Sequence, residues 1–172
     1  MRGRRRDWTR GLCLGLLLSV ALLAPVPGAA GPGTAADEAV PDAETAAAAL
    51  LGQPVAALLD VPGLPQRLRV LAGGRQRAMA AALRLPGPPL RRAEGERYIY
   101  GWGCAPAPSG CGEQGVFLAW EPAGERLFTV LVEDGRPVLT VPPRASRSWP
   151  AALARPVREF NVEAAGLIRF GQ

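Results

Sequence analysis

Two residues in this chain are spaced for specific covalent chemistry. Cys104 and Cys111 frame the segment Cys104-Ala-Pro-Ala-Pro-Ser-Gly-Cys111, which lies between two runs of strand-forming residues. In an oxidising compartment, two cysteines flanking a hairpin loop are expected to pair. Closing so short a loop is worth roughly 2–3 kcal/mol on the chain-entropy model. Pro106 and Pro108 fix their own φ angles, while Gly103, Gly110 and Gly112 permit tight turns. The expected product is a stiff, uncharged tip made of Ala105, Pro106, Ala107, Pro108, Ser109 and Gly110. Such a tip loses little entropy on entering another molecule's cleft. The competing reading is a staple that serves stability alone. A metal site is not expected, because no other soft ligand accompanies the two thiols. A redox pair is not expected either, since six residues separate the cysteines instead of two.

The missing residue types exclude much of the remaining chemistry. There is no His in the 172 residues, and all 20 basic residues are Arg. A Ser-His-Asp triad, a Cys-His pair, an imidazole metal site, a Schiff-base lysine and a P-loop are therefore absent. Carboxylates come in pairs at Glu94/Glu96, Glu121/Glu125 and Glu133/Asp134, each beside a turn signal, so solvated turns are expected. No enzyme activity, catalytic residue or cofactor is expected. Tyr98, Tyr100 and Trp102 share one face of a strand, which is expected to pack under helices instead of standing open to a partner. The seven Arg from Arg67 to Arg92 are not interleaved with aromatic residues, which argues against nucleic-acid binding and leaves contact with anionic envelope polymers open.

The first 30 residues read as an address. Arg2, Arg4, Arg5, Arg6 and Arg10 precede an apolar run from Gly11 to Ala24, and Gly28 and Ala30 suit a cleavage site after Ala30. That run of 14 residues reaches about 21 Å as a helix, short of the ~30 Å hydrocarbon core of a bilayer. The expectation is a cleaved signal peptide over 1–30, no membrane span afterwards, and a periplasmic or secreted product. The Leu-rich core favours export of the unfolded chain, although Arg5-Arg6-Asp7-Trp8 resembles a twin-arginine signal. Without residues 1–30, 15 Arg face 14 acids, a net charge of +1 against +5 for the whole chain. Residues 94–134 hold seven acids and two Arg, a stretch that either is solvated or faces a cationic partner.

Residues 31–45 are small and acidic and read as a flexible leader, followed by a single domain over 46–172. Short helices are expected at Glu44–Leu51, after Pro54 with Val55, Leu58 and Leu59 on one side, across Leu64, Leu68 and Leu71, and over Arg75–Leu83. Leu85-Pro-Gly-Pro-Pro89 should end them. Strands follow at Arg97–Trp102, Val116–Trp120, Leu127–Val132 and Val138–Val141, with Asp134-Gly135 as a hairpin turn. One helical turn is expected near Trp149–Ala154 and a last strand near Leu167–Phe170. The fold class is α+β: an antiparallel meander with short N-terminal helices packed on it.

The stretch Tyr98-Ile-Tyr-Gly-Trp-Gly-Cys-Ala-Pro, then Cys111-Gly-Glu-Gln114, then Val116-Phe-Leu-Ala-Trp120 resembles the inhibitor of vertebrate lysozyme family, Ivy. Trp149-Pro-Ala-Ala-Leu153 is a looser counterpart of that family's later Trp segment, and the similarity covers roughly residues 63–160. The resemblance implies a periplasmic protein with an antiparallel sheet flanked by helices, commonly a homodimer. Its disulfide-closed loop enters the lysozyme cleft, where a loop His meets the catalytic carboxylates. Here six residues lie between the cysteines where the family has four, Pro106 matches the family Pro, and Ala107 stands in the place of the His. The implied function is inhibition of a lysozyme-type muramidase or a lytic transglycosylase. The alternative is an envelope protein-interaction domain that keeps the scaffold without inhibiting lysozyme.

Overall fold

A computed structural model describes residues 42–93, 95, 97–106, 110–145 and 147–171. The expected signal peptide and the leader as far as residue 41 lie outside the described residues.

The chain begins with α1 (Ala43–Leu50), an alanine-rich helix whose first turn is capped by Asp42, the carboxylate accepting from Thr45 N–H at 2.7 Å. Its first turn takes up the end of the stretch read as leader. A 3-10 helix (Val55–Asp60) follows Pro54, then α2 (Leu64–Leu71) and α3 (Gln76–Ala82). All four elements fall where the apolar spacing predicts them.

The sheet contains β3 (Ile99–Cys104), β4 (Gly115–Glu121), β5 (Arg126–Glu133) and β6 (Arg136–Val141), each antiparallel to the next. The expected meander is therefore present. Asp134 and Gly135 carry φ angles of 51° and 74°, the two positive values that a tight hairpin turn between β5 and β6 needs. One edge differs from expectation. The Pro-rich segment does not merely end the helices: β1 (Leu85–Pro86) and β2 (Arg91–Arg92) both pair with β3. Proline is tolerated there because an edge strand needs no second row of N–H donors.

Alternation along the strands divides the core into two layers. Ile99, Val116, Leu118, Trp120, Leu127 and Leu131 face the N-terminal helices and meet Val55, Leu58, Leu64, Leu68 and Met79. Tyr100, Trp102, Phe117, Phe128, Val130 and Val132 face the other way and are covered by the C-terminal segment. That segment is more helical than expected. Trp149–Pro150 forms β7, a single 3-10 turn covers Ala151–Leu153, and α4 (Ala154–Phe160) and α5 (Val162–Leu167) follow. The expected last strand shrinks to β8 (Phe170–Gly171), parallel to β7. Leu153, Val157, Phe160 and Ala164 recur at helical spacing and are all buried, and this stripe draws the segment onto the aromatic face.

Candidate functional site

Cys104 is the last residue of β3 and stands opposite Gly115 in the ladder. Cys111 sits in the turn leading into β4. The two are joined in a disulfide, with their Cα atoms 4.6 Å apart. The bridge closes the loop at the end of the β3–β4 ribbon. Cys104 is buried and Cys111 half-buried against the aromatic layer, whereas Pro106 and Gly110 are exposed. Ala105 is half-buried; Ala107, Pro108 and Ser109 lie outside the described residues.

The base of the loop is held by backbone and side-chain hydrogen bonds. Ala105 N–H donates to Gln114 O at 2.9 Å, carrying the β3–β4 pairing one step past Cys104. Gly110, at φ +87°, accepts at its carbonyl from Glu113 N–H at 3.1 Å, which folds residues 110–113 into a turn. The β5–β6 hairpin joins from the side, Gly135 N–H donating to Glu113 O at 3.0 Å. From below, Asn161 Nδ2 donates to Gly112 O at 2.9 Å and to Gly135 O at 3.4 Å, while its Oδ1 accepts from Ala164 N–H at 2.7 Å and caps α5. Gly115 permits this packing: a Cβ there would stand 2.5 Å from Cys111 O and 2.9 Å from Gly103 O.

Asn161 and Gly135 were not among the residues the sequence picked out for this site. Asn161 had one legible signal, an Asn before a short acidic first turn, which is a helix-start pattern. Its partners lie 49 and 26 residues away in the chain.

The acidic stretch is divided between the two ends of the sheet. Glu113, Glu133 and Asp134 gather at the loop end, where a cleft of about 290 Å³ runs between α3 and the loop base, lined by Ala81, Ala105, Gln114, Gly115, Glu133 and Asp134. Glu133 is bonded to Arg75 at 2.7 Å, and Asp134 is exposed. Glu121 and Glu125 lie at the far end. Glu121 corrects an expectation, for it is not a solvated turn residue. It is 3% exposed, and Arg126 and Arg97 both pair with it. The Arg126 hydrogen bond holds the Glu121 carboxyl below its ordinary range and raises Arg126 in turn. Glu125 is engaged by Arg67. Glu94 and Glu96 lie outside the described residues.

A larger groove of about 580 Å³ also lies at the far end, between α2 and the start of β5. Its walls are mainly apolar, from Val70, Leu71, Leu127, Phe128 and Val141. Its one carboxylate, Glu125, is the one bound to Arg67, so no free acid–base pair is assembled there. Tyr98, Tyr100 and Trp102 are buried, at 5%, 7% and 8% exposure, as the packed-face reading expects. The Arg91 guanidinium lies over Tyr100 and Trp102, 5.3 and 5.6 Å from the ring centres. Among the described residues no group of three His, Cys, Asp or Glu gathers as metal ligands, and no helix is long and apolar enough to cross a membrane.

What the arrangement can do is present a crosslinked turn, with acidic groups beside it, to another macromolecule. Residues 63–163 match the family model described as inhibitor of vertebrate lysozyme (Ivy). No curated protein and no solved structure matches the chain.

Proposed function

From the premise that the chain belongs to the inhibitor of vertebrate lysozyme (Ivy) family, we propose that it is an exported inhibitor of a lysozyme-type muramidase and engages the enzyme through the loop closed by Cys104 and Cys111. The observation that carries this reading is the disulfide at the end of the β3–β4 ribbon, with Pro106 and Gly110 exposed on either side of the tip. The partner is a c-type lysozyme or the cell's own lytic transglycosylase. With Ala107 where the family places His, the loop meets the enzyme's catalytic carboxylates with neutral donors, the Ser109 hydroxyl and backbone N–H groups. Glu113 and Asp134, beside the loop, suit a cationic enzyme surface. The protein acts in the periplasm or outside the cell, needs no cofactor and carries out no chemistry of its own.

A second reading has one observation in its favour, the absent loop His. On it the chain is an envelope interaction domain that has kept the scaffold and lost inhibition. Titration of the purified, oxidised protein into assays of c-type lysozyme and of a lytic transglycosylase separates the two. The inhibitor reading expects a saturable fall in one of these rates at micromolar protein or below, lost with Ser109→Trp. Unchanged rates for both enzymes leave the interaction domain standing.

A further inference from the structure

We infer that Asn161 is the positioning residue of the loop: its amide fixes where the disulfide-closed turn stands relative to the body of the protein. Asn161 is a polar side chain only 9% exposed, and its amide joins the loop to the start of α5. The Nδ2 group reaches Gly112 O on the loop and Gly135 O on the β5–β6 turn, and Oδ1 is tied to Ala164 N–H. Gly135 completes a closed circuit, since its own N–H donates to Glu113 O. Residues 112 and 113 are thus clamped between the hairpin turn and the junction of α4 with α5. The disulfide and the ribbon's own hydrogen bonds tie the loop to β3 and β4; the Asn161 amide ties it to the C-terminal helices. Phe160, adjacent to Asn161, packs on Trp102 and Phe117 with ring centres 6.0 and 5.9 Å apart, so the clamp is rooted in the aromatic core.

What the positioned loop does rests on the inhibitor reading; the clamp itself does not. Substitutions at Asn161 separate its two functions. Asn161→Asp keeps the acceptor that caps α5 and turns an oxygen without a hydrogen toward the carbonyls of Gly112 and Gly135. Asn161→Ser keeps a capping acceptor and is too short to reach Gly112. The oxidised protein is treated with dithiothreitol under native conditions, and the rate at which Cys104 and Cys111 become free thiols is compared with global stability from urea unfolding. Both variants are expected to be reduced about tenfold or more faster than wild type at matched global stability. Their affinity for the inhibited muramidase is expected to fall about tenfold. Reduction within twofold of wild type for both variants overturns the inference. The reduction rates need no lysozyme, so they decide the role of Asn161 even where the wild-type protein leaves lysozyme untouched, an outcome that overturns only the inhibitor reading.

Discussion

Glu121 shows how a single side chain is fixed by its surroundings. It is almost fully buried at the end of β4, and its register partner Arg126 sits directly across the strand pair, with Arg97 joining from β3's approach. Because its carboxyl in the folded state lies below the ordinary glutamate value of about 4.3, the pair stabilises fully above that pH. The contribution is lost as pH falls through the folded value. Thermal unfolding measured from about pH 5 down to about pH 2 should therefore show a destabilising limb that Glu121→Gln flattens. Gly115 is constrained more simply, by two backbone carbonyls that cannot move aside for a Cβ. Gly115→Ala should cost about 1–3 kcal/mol, the range for overpacking a tight site, read from the urea midpoint at unchanged slope.

At the scale of elements, the β3–β4 ribbon and its bridge can be tested as a unit. Replacing both Cys104 and Cys111 by Ser should cost roughly 2–3 kcal/mol if the bridge acts by restricting the unfolded chain. Helix α4 is attached through Pro156, Val157 and Phe160, the last buried against Trp102 and Phe117, and Phe160→Ala should cost roughly 3–5 kcal/mol. The strands are legible because each is a short run of apolar, β-branched and aromatic residues bounded by turn residues, and because Asp134-Gly135 reads as a hairpin turn. The N-terminal helices were legible from Leu64, Leu68 and Leu71. Helices α4 and α5 were not, being 7 and 6 residues long with Pro156 inside the first. Helices so short are set by the aromatic surface they cover more than by their own propensity. The disulfide was readable from its own spacing. Asn161 and the burial of Glu121 were not, because each depends on which distant residues the sheet and helices bring near.

For the molecule as a whole, the described sheet is covered on both faces and its two ends differ. One end carries the bridged loop with Glu113, Asp134 and the Arg75–Glu133 pair; at the other, Glu121 pairs with Arg126 and Arg97, and Glu125 with Arg67. On the inhibitor reading, the exposed Asp134 carboxylate helps steer a cationic enzyme to the loop end, even though the net charge of residues 31–172 is only +1. Asp134→Asn tolerates the same positive φ and removes one of those charges. It should slow association with the inhibited enzyme about twofold to fivefold at low ionic strength and leave dissociation unchanged, and added salt should erase the difference. Stopped-flow measurements at two salt concentrations check both parts.

The broken margin formed by β1 and β2 bears on how copies of the chain meet one another. Pro86, Pro88 and Pro89 interrupt the row of donors that a foreign polypeptide would need in order to extend the sheet. On the opposite margin, a register slip between Leu131 and Val132 bends the β5–β6 pairing out of line. Neither rim of this sheet, as far as the described residues go, offers a straight template for edge-to-edge pairing of copies.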